Sequence, residues 1–131
     1  MSYFTQYSTE LLILLFLIVT FLQSGIDKVV DWKGNVSFIK EHFKNSPLQK
    51  SVPALLGIVL ILELIASICM VLGIYTLLSS GDNFYALLGV ELCSLTLICL
   101  LIGQRLAKDY AGAMSLAVYF IITIIGLIVI S

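Results

Sequence analysis

The chain has 131 residues, of which 60% are hydrophobic and only 11% are charged, and its mean hydropathy is +1.11. A soluble domain of this size needs more charge to cover its surface, so the composition excludes an ordinary soluble protein. The length fits one domain. The net charge is −1 and no basic stripe is present, which excludes nucleic acid as a partner.

Four apolar stretches are each long enough to cross a bilayer as a helix, which takes about 20 residues. They predict an all-α, polytopic membrane four-helix bundle that forms a single domain over residues 1–131. Pro53 suits the start of the second span, Gly81 suits its end, and Asp82 or Asn83 suits the cap of the third. Residues 107–110 make the last two spans an antiparallel hairpin. The predicted spans are about 10–31, 52–78, 84–106 and 111–131.

The stretch between the first two spans predicts a short amphipathic helix at about 35–46, lying on the membrane surface. Val36, Ile39 and Phe43 recur at helical spacing, and the lysines of this segment would favour anionic headgroups. A solvated charged loop is the alternative.

The distribution of charge predicts the orientation. All seven Lys and Arg residues fall on one side of the four spans, and none lies on the side of the termini and the 79–83 turn. The positive-inside rule therefore places both termini outside and both basic loops in the cytoplasm. The N-terminus has no positive n-region and no small-residue cleavage site, so we expect the first span to remain in the mature protein.

Two glutamates lie inside apolar spans. Glu63 falls near the middle of the second span and Glu91 in the outer part of the third. A carboxyl group in hydrocarbon is costly and usually faces the bundle interior, so we expect each to be protonated or paired with a cation. A hydrogen-bonded lock between helices and a functional cavity remain alternatives, and Glu91 could face a partner chain instead. The candidate intramembrane polar site is Glu63, Glu91, Tyr119, Gln23 and Thr20.

Charged residues also gather where the first and third spans end on the basic side. Mixed charges at one level predict an ion-pair network, with Arg105 placed to pair with Asp27. Such a network would set the helix register or dock a headgroup or a partner. The cluster comprises Asp27, Lys28, Asp31, Arg105, Lys108 and Asp109.

The sequence offers no self-contained cofactor site. No Cys/His cluster suits a metal, the single histidine, His42, lies in the surface segment, and no nucleotide-binding motif or Ser-His-Asp set occurs. We expect no cofactor bound by this chain alone. A redox role would require a partner or a diffusible lipophile such as a quinone.

Three short motifs resemble the DoxX family of small four-helix membrane proteins. They are Gly25-Ile26-Asp27-Lys28, which is similar to the family's G-x-x-K; Leu62-Glu63-Leu64 with Gly73 beyond it; and the hairpin at 103–112. The resemblance implies a bacterial cytoplasmic-membrane protein, and it implies Lys28 and Glu63 as functional positions. The family is named after a subunit of an archaeal thiosulfate:quinone oxidoreductase, and some members are tied to membrane oxidoreductase complexes.

These observations lead to three hypotheses. The first is a small subunit of a membrane oxidoreductase complex that shapes a quinone-like site with Glu63 and Tyr119, without being catalytic alone. The second is a structural or assembly subunit, and the third is a carrier of protons or a lipophilic solute that uses Glu63 and Glu91. The expected partners are membrane lipids and other membrane protein subunits.

Overall fold

A computed structural model describes residues 7–44, 46–47 and 49–131. Over these residues the chain forms helices and no strand, which confirms the predicted all-α class. The helices are α1 (Ser8–Val30), α2 (Trp32–His42), a 3-10 turn (Gln49–Ser51), α3 (Val52–Ser80), α4 (Phe84–Leu106) and α5 (Tyr110–Ile130). Four of them, α1, α3, α4 and α5, are long and apolar enough to cross a membrane.

The bundle is organised around α3, which packs most extensively against α4 and also against α1, while α5 packs against α4. The core lies between these helices and includes Leu14, Leu17, Phe21, Met70 and Val90. Many large apolar side chains point outward from the four long helices. That outward apolar surface suits acyl chains, because in lipid the exterior of a bundle is as apolar as its core.

The connection between α3 and α4 follows the predicted turn chemistry. Gly81 closes α3 in the left-handed conformation at φ 75°, which glycine adopts without steric cost. Asp82 accepts a hydrogen bond from the Phe84 N–H at 3.3 Å. Asn83 instead donates its side-chain amide to the carbonyl oxygen of Ile130 at 2.8 Å. The turn thus also covers the C-terminal end of α5.

The helix between the first two spans forms, but its limits differ from the predicted 35–46. It begins at Trp32 because the side chain of Asp31 accepts the Gly34 N–H at 3.2 Å, and it ends at His42. Asn35 lies inside it and donates to the carbonyl oxygens of Asp27 and Asp31. The predicted end includes Asn45, which lies outside the described residues.

Helices α3 and α4 come closest where small residues face each other. A Cβ on Gly73 would lie 2.6 Å from the backbone of Ala86, and one on Gly89 would lie 2.6 Å from the Met70 side chain. Small residues allow such close approach of membrane helices. Toward the other end, where all the Lys and Arg residues lie (the basic end), a cleft opens between the same two helices.

Candidate functional site: a buried ion pair and a cleft at the basic end

The structure pairs Glu63 with Lys28. Glu63 Oε1 lies 2.9 Å from Lys28 Nζ, and the two side chains are 2% and 13% exposed. The pair joins the last turn of α1 to the middle of α3. Of the two states expected for this carboxyl group, protonated or paired with a cation, the geometry fits the paired one.

The local sequence explains how a lysine at a helix end reaches a carboxyl group so deep. Side chains on a helix lean toward its N-terminus, so Lys28 extends back along α1 and donates to Ser24 Oγ at 2.6 Å. Gly25 lies beside the pair, where a Cβ would come 3.0 Å from Leu64 Cδ2. Gly25 therefore lets α1 approach α3, and Lys28 supplies the charge. This gives the G-x-x-K motif a physical meaning.

The ion pair is close but not fully hydrogen-bonded. Oε1 of Glu63 lies 2.9 Å from Lys28 Nζ, and no hydrogen bond from any other described residue reaches this buried oxygen. The hydroxyl of Ser67 donates to the backbone carbonyl of Glu63, not to its carboxylate. Among the described residues, Lys28 is the one basic side chain that pairs with Glu63.

The other members of the candidate intramembrane site do not join Glu63. Glu91 and Gln23 are exposed on the outer surfaces of their helices. The hydroxyl of Thr20 donates to the carbonyl of Phe16 within its own helix. Tyr119 is half-buried on α5, with its ring 6.3 Å from that of Phe16. A proton carrier that uses Glu63 and Glu91 together therefore has no common site in this structure.

The predicted charge cluster at the basic end is divided between local roles. The guanidinium of Arg105 lies 5.0 Å from the ring centre of Tyr110, and among the described residues it makes no ion pair with Asp27. That expectation fails because α1 packs mainly on α3, whereas Arg105 follows α4 toward the hairpin.

The other members of the cluster have local roles. Lys108 adopts φ 61° in the hairpin. Asp31 caps α2, and Asp109 caps α5 by accepting the Gly112 N–H at 2.9 Å.

A polar group that the sequence did not reveal forms at the same end. His42 Nε2 lies 3.0 Å from Gln104 Oε1 and 3.2 Å from Asp109 Oδ2. Both neighbours are acceptors, so Nε2 carries the proton and donates. The contact fastens the C-terminal end of α2 to the hairpin between α4 and α5. His42 looks like a surface residue in the sequence, but it follows Ile39 by three positions and so lies on the same side of α2.

These three residues line a cleft of about 570 Å³. Its walls come from α2, from the first two turns of α3 and from the last two turns of α4. A volume of this size is typical of small-molecule sites, which are mostly apolar with a few polar groups. The apolar lining includes Phe38, Ile39, Phe43, Leu55, Leu56, Ile58, Val59, Cys99, Leu100, Ile102 and Leu106.

The fold and the buried charge define the class of protein: a polytopic membrane four-helix bundle with an ion pair between its first two spans. A family model described as DoxX matches residues 10–103. The match covers well over half of the chain, so the chain belongs to the DoxX family. It includes Lys28 and Glu63 and ends just before Gln104. No curated protein and no solved structure matches the chain.

Proposed function

We propose that this chain is a small integral membrane subunit associated with a membrane oxidoreductase complex, in which it contributes a site for a quinone-like lipophile. The observation that carries the proposal is the apolar cleft at the basic end, with His42, Gln104 and Asp109 at its edge. The site differs from the expected one, because Glu63 and Tyr119 do not line this cleft. The chain supplies shape and hydrogen bonds, and the electrons pass through a partner subunit.

The polar edge suits the head of a quinone or a quinol. With Nε2 donating to Asp109 and Gln104, the neutral imidazole of His42 keeps Nδ1 as an acceptor for a hydroxyl group. The amide nitrogen of Gln104 can donate a hydrogen bond to a quinone carbonyl. These groups could therefore bind the oxidised head and the reduced head.

The apolar walls suit the tail. Leu55, Ile58 and Ile102 line the cleft on helices long enough to span a membrane, and each is exposed. A ligand can therefore enter sideways from the bilayer with its tail along these side chains, without crossing a polar barrier. Such an entry route suits a lipophilic ligand and does not suit a water-soluble metabolite.

The proposed location is the bacterial cytoplasmic membrane, with both termini on the outer side. It is supported by the placement of every Lys and Arg at one end of the bundle. Single cysteines at Ser131 and Lys44, labelled in intact cells with a membrane-impermeant maleimide, test it. Labelling at position 131 but not at 44 is expected, and the reverse pattern would invert the topology.

The binding site is tested with a photoreactive short-tail quinone on the protein reconstituted in lipid nanodiscs. We expect adducts on the cleft walls, mapped by mass spectrometry, which excess unlabelled quinone removes. Gly103→Trp should block the labelling, because a Cβ on Gly103 already lies 3.5 Å from Phe43 Cζ and an indole would fill the cleft. The matched control is Met114→Trp, at an exposed position outside the cleft.

The outcome that contradicts the proposal is labelling spread over all outward helix faces, unaffected by unlabelled quinone and by Gly103→Trp. That pattern would mean that ordinary lipid fills the cleft. A structural or assembly subunit would then be the better description, because the Lys28–Glu63 pair already serves to join α1 to α3.

A further inference from the structure

Glu91 is an acidic residue on the outside of the bundle. It lies on α4 about seven residues, or roughly 10 Å, from the end at Phe84. Its side chain is exposed, and no hydrogen bond or ion pair within the described part of the chain involves it. Along the same helix, exposed Phe84 and Tyr85 precede it, and exposed Leu95 and Ile98 follow it. An acid at this depth facing acyl chains costs several kcal/mol.

The residues around Glu91 form a stripe with the spacing of a helix–helix seam. Steps of four and three residues along one face of a helix repeat every seven, as in packed helix pairs. The stripe on α4, which we call the Glu91 face, consists of Phe84, Leu88, Glu91, Leu95 and Ile98. Of these, Phe84, Leu95 and Ile98 are 60%, 49% and 41% exposed. The face has the length and the apolar character to accept one more helix.

We propose that the Glu91 face docks a transmembrane helix of a different subunit, and that this helix presents a lysine or arginine side chain at the depth of Glu91. The inference rests on the proposed role as a subunit of a complex and names the surface and the chemistry of the partner. Charge complementarity carries it, since a basic side chain pairs with a carboxyl group inside the membrane as Lys28 pairs with Glu63.

A second copy of this chain does not fit as the occupant. All seven Lys and Arg residues lie at the basic end, and Arg105 is fourteen residues, or about 21 Å, further along α4 than Glu91. Copies inserted in one membrane share one orientation, so a neighbouring copy would place its basic residues at the wrong depth. A parallel copy would bring Glu91 against Glu91, which repels when both are charged.

The test uses the full chain in its native membrane, cross-linked before extraction into mild detergent. We compare the size of the assembly for the wild type, Glu91→Gln, Glu91→Leu and the control Ile128→Leu, which changes an exposed position on α5. We expect the assembly to shrink to the free chain in Glu91→Leu, with at least a tenfold loss of the partner. Glu91→Gln should retain part of it through a hydrogen bond, and Ile128→Leu should retain all of it.

The partner's residue is then identified by exchanging the charges. Glu91→Lys should abolish the assembly, and changing the basic residue at the same depth of the partner's helix to Glu should restore it. The proposal is overturned if the wild type is cross-linked to nothing, if Glu91→Leu leaves the assembly intact, or if differently tagged copies of this chain are cross-linked to each other. It also fails if no basic residue of the partner restores assembly. Quinone labelling of the cleft is read separately, so its failure leaves this result interpretable.

Discussion

Helices α3 and α4 meet in two different ways along their length. From Glu63 to the turn at Gly81 they are in close contact through small residues, as at Gly73 and Ala86; we call this the closed half. From Val52 to Val59 on α3, and opposite on α4, a cleft opens; we call this the open half.

The difference follows from side-chain size. Glycine and alanine let the two backbones touch in the closed half, whereas leucine, isoleucine and valine predominate in the open half. The closed half therefore gives stability, and the open half leaves room for a ligand. Changes in the closed half should reduce stability, and comparable changes in the open half should not.

The largest effect is expected at the ion pair that begins the closed half. Either Lys28→Ala or Glu63→Ala leaves one buried charge without its partner, and such a loss costs about 3–5 kcal/mol. Thermal unfolding in detergent, followed by circular dichroism, should show a large fall in Tm for each single variant.

The double variant Lys28→Met/Glu63→Leu removes both charges together, so neither partner is left buried and unpaired. Apolar residues of similar volume in place of both partners are often neutral or stabilising, so the double variant should be at least as stable as the wild type. If the two single variants unfold like the wild type, the pair does not hold α1 to α3.

The next largest effect is expected from one methyl group at the closest contact. Gly73→Ala would place a Cβ 2.6 Å from the backbone of Ala86, and such overpacking costs about 1–3 kcal/mol. Gly57→Ala is the matched control in the open half, because its Cβ would meet only Trp32 Cη2 at 3.8 Å. Alanine there should add up to about 1 kcal/mol from helix propensity. Equal stabilities of the two variants would remove the distinction between the halves.

A smaller effect is expected from single hydrogen bonds at the two ends. Asn83→Ala removes the 2.8 Å bond to the Ile130 carbonyl at the closed end, and should cost about 0.5–1.5 kcal/mol. Gln49→Ala removes an exposed 3.3 Å bond to the Lys40 carbonyl beyond the open end, and should cost close to nothing. Equal shifts of Tm for these two variants would contradict the comparison.

The sequence predicted the fold well because the length of an apolar stretch is a physical requirement of the bilayer. Each predicted span agrees with its helix to within about two residues. Gly81 ends α3 as predicted, because glycine adopts the positive φ of that position without steric cost. The predicted start of α2 at about residue 35 was wrong, because the side chain of Asp31 accepts the Gly34 N–H and the helix begins at Trp32.

The site was less predictable, because it depends on the reach of side chains and on which face of a helix is covered. Lys28 was assigned to the charge cluster at the helix end, although its long side chain extends back to Glu63. For Glu91 the sequence left open whether it faces the bundle or a partner chain; α4 buries the face of Gly89, and Glu91 is exposed. The cleft depends on His42 meeting Asp109, which are 67 residues apart in the sequence, and no local pattern encodes that contact.

The smallest effect on stability is expected from thiol modification, which also tests the two halves most directly. The chain carries three free cysteines: Cys93 is buried in the closed half, Cys69 is half-buried, and Cys99 is exposed and lines the cleft. With N-ethylmaleimide on the wild-type protein in nanodiscs, Cys99 should react first, Cys69 next and Cys93 last, as quantified for each peptide by mass spectrometry. The denatured chain supplies the reference in which steric protection is absent.

Modification at Cys99 should leave Tm nearly unchanged, because the adduct enters space that is already open. If Cys93 instead reacts as fast as Cys99, the small residues around Gly89 do not keep α3 and α4 in contact, and the distinction between a closed and an open half would have to be abandoned.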